Sequence, residues 1–163
     1  MDPTKVGIAA SGAALIVCGG VGIKFAYDGR VITLEGHKDY SGEDKDTKVG
    51  GKYAAFLASV EGNVNDYFWN KRVQHLAGKN ISFQDEGFFK NDLEAKLQEY
   101  KNDQTKSDKK KAVVDALKSK CKEKYDITPL PSYTNGEKLK WKEFWEFCSI
   151  EGSAPKELKS SLE

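Results

Sequence analysis

The chain has few of the residues and motifs from which catalytic sites are usually built. It has two histidines, His37 and His75, and neither has further metal ligands at a suitable spacing. No Cys-x-x-Cys, Walker loop, GxSxG or HExxH motif occurs. Cys121 and Cys148 lie on apolar stripes, where a thiol is a poor nucleophile. We therefore expect no catalytic residue, no cofactor and no metal site, and we predict that the protein is not an enzyme.

An excess of charge of one sign is also missing. The chain has 26 Lys and Arg against 25 Asp and Glu, a net charge of +1, so we expect no nucleic-acid partner. Its 163 residues are enough for one domain. Hydrophobic residues make up 39% of the chain and many of them lie near the N-terminus, so the predicted core is modest and rich in aromatic residues.

Long hydrophobic runs are missing everywhere except at the N-terminus. Residues 6–23, VGIAASGAALIVCGGVGI, contain no charge and are bounded by Lys5 and Lys24. A helix of this length spans about 27 Å, close to the hydrocarbon thickness of a bilayer. The sequence therefore predicts a membrane anchor that contacts the lipid bilayer through residues 6–23.

Other interpretations of this segment stay open. It also fits a secretory signal peptide cleaved near the small residues 18–20, or a lipoprotein signal with a lipidated Cys18. A buried helix or glycine-rich loop of a soluble domain is the fourth alternative. If the segment spans the membrane, its small residues predict a homo-dimer through close helix contact. They are Gly7, Ser11, Ala14, Cys18 and Gly22.

Periodicity after residue 27 predicts an all-α fold. We expect an N-terminal transmembrane or signal segment over 1–27, a polar, glycine-rich stalk over 28–51 and a small domain over 52–163. The domain would contain four to five amphipathic helices, the first over 52–76 and the third over Ser107–Tyr125. Their apolar stripes lie, in chain order, within 53–68, 89–100, 113–121, 141–148 and 158–162.

Two cysteines lie on the apolar stripes of different predicted helices. If these stripes face one core, the sulfurs of Cys121 and Cys148 point toward each other. A disulfide between them would close a loop of about 28 residues and stabilise the fold by roughly 3–4 kcal/mol. Such a bond requires an oxidising compartment. The alternative is a pair of buried, reduced thiols that act as small hydrophobic side chains.

The third predicted helix carries a local excess of lysine. Between Lys101 and Lys124 there are nine lysines and four acidic residues. This surface is suited to phosphate groups or anionic lipid, although an ordinary solvated helix face has the same composition. The candidate contact residues are Lys109, Lys110, Lys111, Lys118, Lys120 and Lys122.

Several segments together suggest a family. A Gly/Ala-rich segment close to Met1 is followed by YFWNKR at 67–72, LKSKCKEKY at 117–125, WKEFWEFCS at 141–149 and PKEL at 155–158. This layout resembles the large paralogous families of uncharacterised membrane and surface proteins of haemotropic mycoplasmas. The resemblance implies membrane anchoring or export, surface display and antigenic variation. It assigns a structural role to four matching residues, Cys121, Cys148, Trp141 and Trp145.

These observations lead to one main functional hypothesis. We expect a single-pass protein of the cell membrane with an extracellular helical domain, which acts by interaction or antigenic display and binds a host or surface protein. One alternative is a cytoplasm-facing adaptor that uses its Lys-rich helix to bind anionic lipid or an acidic partner. Another is a secreted protein, released after signal cleavage. An enzyme of unknown type is the least favoured alternative.

Overall fold

The computed structural model describes residues 31–79, 81, 83–134 and 136–163, and in these residues it contains helices and no strand. The predicted all-α class is therefore confirmed for the described part of the chain. The predicted membrane segment at 6–23, with its small residues, lies outside it. The helices are α1 (Val49–Lys52), α2 (Asp66–Gly78), α3 (Asp92–Asn102), α4 (Ser107–Tyr125), α5 (Lys138–Cys148) and α6 (Lys156–Leu162).

Helix α4 is the centre of the arrangement, in contact with α1, α2, α3 and α5. It has the bounds that the sequence predicted, and its 19 residues extend over about 28 Å. Its apolar residues recur on one side, and that side is buried against the neighbouring helices. The buried residues of α4 are Val113, Val114, Leu117, Cys121 and Tyr125.

Aromatic rings from α5 and from the segments around it fill most of the core. Trp145 and Phe147 are at most 1% exposed, and their rings meet Tyr53 and Phe89 edge to face, with centroids 5.2 and 4.8 Å apart. Edge-to-face pairs gain energy beyond burial because the positive ring edge faces a negative ring face. The modest, aromatic core expected from composition is therefore organised around α5.

The predicted helix over 52–76 is absent as a continuous element. Helix α1 ends at Lys52 and α2 begins at Asp66. The apolar residues between them are largely buried, but their backbone groups bond to distant segments. Leu57 O accepts from Leu34 N at 2.9 Å, and Ala58 N donates to Cys148 O at 3.0 Å. Apolar spacing alone is compatible with both conformations, so the prediction was wrong for 53–65.

The segment predicted as a stalk also differs from the structure from residue 31 onward. Val49 is completely buried, and Leu34 packs against the core. The glycines that suggested a flexible linker lie where another segment packs so closely against the backbone that a side chain would not fit. A Cβ at Gly50 would lie 2.8 Å from the Cβ of Tyr125, and one at Gly51 would lie 2.0 Å from the carbonyl oxygen of Asp44. Residues 31–51 therefore belong to the helical domain.

Cys121 and Cys148 form the disulfide that the sequence predicted, and both residues are completely buried. Their Cα atoms are 5.6 Å apart, and the bond joins the C-terminal part of α4 to the last residue of α5. The two apolar stripes do face one core, which brings the sulfurs together. The disulfide therefore links the central helix to α5, which carries more aromatic residues than any other described helix.

Arg72 of α2 is a fully buried cation that the sequence analysis missed. Its guanidinium donates hydrogen bonds to the backbone oxygens of Glu146 and Ser149, the latter at 2.7 Å, and its centre lies 4.8 Å from the Phe68 ring centroid. Burial lowers the pKa of Arg72 to about 9, so it stays protonated at neutral pH. A cation at a helix C-terminus also interacts favourably with the helix dipole. Arg72 thereby ties α2 to the end of α5.

Removal of the disulfide should lower the free energy of unfolding substantially. In the double variant Cys121→Ala, Cys148→Ala, the free energy of unfolding should fall by about 3–4 kcal/mol. The reason is that the unfolded chain gains conformational entropy when two residues 27 positions apart are no longer joined. Urea unfolding followed by tryptophan fluorescence measures the change. Reductant should destabilise the wild type and leave the double variant unaffected. Cys18→Ala serves as the control, and an unchanged midpoint in the double variant would contradict the prediction.

Candidate interaction surface

The six predicted contact lysines of α4 do not form one free basic surface. Lys111 pairs with Asp115 at 2.6 Å, and Lys122 pairs with Glu61 at 2.8 Å. These ion pairs are exposed to solvent, so each contributes little to stability. Their main consequence is electrostatic. Because each pair has no net charge, an anionic partner some ångströms away is attracted much less than it would be by an unpaired lysine.

Two further lysines of this set are also bound within the domain. Lys118 donates to the backbone oxygen of Gly62 at 2.6 Å. Lys120 lies 3.9 Å from a carboxylate oxygen of Asp92 and 3.4 Å from one of Glu123. Within the described chain, Lys109 and Lys110 form no ion pair, and both are half-buried. The charge available to an anionic partner is therefore smaller than the lysine count indicates.

An open cleft of about 220 Å³ lies between residues 39–51 and the end of α4. It is lined by more carboxylates than cations, and Lys48 already binds Asp44 at 2.8 Å. Among the described residues, no group of three or more His, Cys, Asp or Glu side chains is placed to hold a metal ion. The cleft therefore offers hydrogen-bonding groups without an assembled metal centre.

Asn65 fixes the point at which the N-terminal chain meets the domain. It is buried, its Oδ1 accepts from Ile32 N at 2.8 Å, and its Nδ2 donates to Ile32 O at 2.7 Å and to Ser59 O at 2.9 Å. Asparagine often caps its own helix. Here Asn65 precedes α2 but makes no side-chain cap, because the amide binds the distant segments instead. No sequence pattern signals this role.

Next to Asn65 lies an exposed apolar edge, which we call the 62–71 edge. Val64 and Tyr67 are 44% and 67% exposed. The ammonium of Lys71 lies 5.5 Å from the centroid of the Tyr67 ring, within cation–π range. The apolar spacing predicts Val64 in the core stripe of a continuous helix. It is exposed because the irregular 53–65 segment turns it outward.

Glu143 of α5 is a buried acidic group that the sequence analysis also missed. Its Oε1 accepts from the backbone N–H of Gln84 at 3.4 Å, and Oε2 has no hydrogen-bond partner in the described part of the chain. Burial, with a smaller contribution from the neighbouring Glu146 carboxylate, raises the pKa of Glu143 to about 7. An acidic residue of an amphipathic helix is normally expected on the solvent-facing side. The burial of Glu143 was therefore not predictable from the sequence.

Replacement of Asn65 should destabilise the junction between the 31–34 segment and α2. Asn65→Ala removes one buried and two partly buried hydrogen bonds and leaves Ile32 N without its partner, while Ile32 O keeps the bond from Ser59 N, so we expect a loss of about 1–3 kcal/mol. Asn70→Ala is the matched control, since its amide makes one exposed bond to Asp66 O. Equal urea midpoints for the two variants would refute the assigned role.

Stability should fall as the pH rises through the titration of Glu143. Its folded pKa of about 7 exceeds the ordinary value of 4.5, so the folded state binds more protons between these values. The unfolding free energy therefore decreases by up to about 3 kcal/mol across that window and stays lower above it. Glu143→Gln should flatten this dependence and be the more stable protein at alkaline pH. Exposed Glu99→Gln is the control, and a slope in Glu143→Gln as steep as in the wild type would exclude Glu143 as its main source, whereas a smaller remaining slope is expected from Glu146, whose pKa burial also raises.

Comparisons with known proteins find no relative of this chain. No protein-family model matches the chain, no curated protein matches it, and no solved structure matches its fold. Within the described residues, no helix has both the length and the hydropathy needed to cross a bilayer. Functional inference therefore depends on the chain's own residues and geometry.

Proposed function

We propose that this is a single-pass membrane protein whose helical domain lies outside the cell and acts by interaction or antigenic display. Residues 6–23 are the proposed anchor, because they are uncharged and long enough to cross the hydrocarbon layer. The domain is the part presented to a host or surface protein. We also propose the relation to the surface-protein families of haemotropic mycoplasmas, on the sequence layout described above.

The Cys121–Cys148 disulfide is the observation that carries this proposal. Structural disulfides form in oxidising compartments and are rare where thiol reductants are abundant. Here both cysteines are completely buried, and the bond joins two core helices. A bond in this position stabilises the whole domain. Its presence therefore supports export of the domain.

The charge distribution favours surface display over the cytoplasmic adaptor. An adaptor that binds anionic lipid needs lysines free to contact phosphate. Four of the six candidate lysines already bind carboxylates or a backbone oxygen within the domain. Secretion after signal cleavage shares the oxidising compartment with the anchored form, so the two differ only in the fate of residues 1–27.

Membrane sidedness can be tested with an exposed cysteine. Ser160 is exposed on α6, and Cys18→Ser removes the one cysteine outside the disulfide. Cells making the full chain with both Ser160→Cys and Cys18→Ser are treated with a membrane-impermeant maleimide. We expect labelling in intact cells without reductant. In the same cells, acid quenching followed by thiol blocking and mass spectrometry should find Cys121 and Cys148 oxidised.

The controls separate the alternatives. The parent chain with only Cys18→Ser should not be labelled, because its two remaining sulfurs are bonded and buried. Labelling that requires cell lysis, together with free thiols at Cys121 and Cys148, would overturn the proposal in favour of the adaptor. A shortened chain found only in the medium would favour the secreted form.

A further inference from the structure

We propose that the 62–71 edge of the domain rests on the bilayer that holds the anchor, with Val64 and Tyr67 in the headgroup region. This inference rests on the proposed membrane anchoring and specifies which surface of the domain faces the lipid. It leaves the opposite end of the domain facing away from the membrane, available to a partner.

The exit point of the chain supports this orientation. Both backbone polar groups of Ile32 are bound by the Asn65 side chain, at 2.8 and 2.7 Å, and Ser59 N donates to Ile32 O at 2.9 Å. Asn65 directly follows Val64 and lies two residues before Tyr67. The chain coming from the anchor is therefore attached at the exposed apolar edge itself.

The short connection keeps that edge near the membrane. Only residues 24–30 separate the uncharged segment from Val31. Seven residues span at most about 25 Å when fully extended. The headgroup region takes up about 5–8 Å on each side of the hydrocarbon core, so even a fully extended connection leaves Val31 within roughly 20 Å of the headgroup surface. The part of the domain nearest to Ile32 is thus the part brought closest to lipid.

The chemistry of the 62–71 edge suits a lipid interface. Tyrosine is enriched there because its ring is apolar while its hydroxyl stays hydrated, and Tyr67 is 67% exposed. The ammonium of Lys71 lies over the same ring, 5.5 Å from its centroid, beside the apolar side chain. Lysine near lipid headgroups favours their phosphates. Apolar and cationic groups are combined in one small area.

Leu139 provides a matched comparison, because it is 52% exposed but far from the chain exit. It lies in the first turn of α5, whereas Cys148 at the other end accepts from Ala58, the residue before Ser59. The 11 residues of α5 extend over about 16 Å. An exposed apolar residue at position 139 is therefore predicted to stay in water.

Lipid-borne quenchers can test the orientation. The full chain is reconstituted into phosphatidylcholine and phosphatidylglycerol vesicles whose acyl chains are brominated near the headgroups. The native Trp69, Trp141 and Trp145 are at most 2% exposed, so wild-type protein supplies a low background. Quenching in Tyr67→Trp should exceed that in Leu139→Trp by roughly twofold or more, since only the first probe reaches the interface. Val64→Trp is a second probe of the same edge.

Flotation of each reconstituted sample after an alkaline wash shows separately whether the anchor is inserted in the bilayer. Floating protein with equal quenching at positions 67 and 139, and none above background at 64, would overturn the orientation while leaving the anchor intact. Protein that fails to float would overturn the anchor and, with it, this inference. Strong quenching at 64 and 67 in floating protein, with weak quenching at 139, would establish the proposed contact.

Discussion

The buried backbone oxygens at the end of α5 must each accept a hydrogen bond, and the rest of the structure depends on this constraint. The last carbonyls of a helix have no partner within it, and an unpaired buried carbonyl is costly. Arg72 donates to the oxygens of Glu146 and Ser149, and the single hydroxyl proton of Tyr125 is shared between Ala58 O at 2.9 Å and Cys148 O at 3.2 Å. These donors come from α2 and α4, so one set of hydrogen bonds joins three helices.

The disulfide lies at the same end of α5 and reinforces this junction. Cys148 supplies both a sulfur for the bond to α4 and an oxygen for Tyr125 and Ala58. A covalent link and buried hydrogen bonds at one place favour a rigid end of the domain. The N-terminal segment of the described chain is attached close by, because Asn65 binds both backbone polar groups of Ile32. In the proposed function, the end of the domain that holds this junction would therefore be the end attached to the membrane.

Local patterns predicted some elements well and failed at others for identifiable reasons. Helix α4 was predictable because its apolar residues recur over 19 residues and no glycine or proline interrupts them. The cysteine pair was predictable since each member lies on such a stripe. The 53–65 segment has equally suitable apolar spacing, yet Leu57 and Ala58 bond to residues 34 and 148. The spacing of apolar residues shows which side chains can be buried together. It does not show which groups form hydrogen bonds with the backbone.

The sequence by itself determined the all-α class, the position of α4, the cysteine pair and an uncharged N-terminal segment of anchor length. These features depend on composition and on periodicity within one helix, which are local properties. Only the tertiary structure decided that residues 31–51 belong to the domain, that Arg72 is buried, and that Asn65 holds the chain beside Val64. Each of these depends on partners that are distant in the sequence, such as Asn65 for Ile32 and Glu146 for Arg72, because a buried polar group must bind whatever the fold brings next to it.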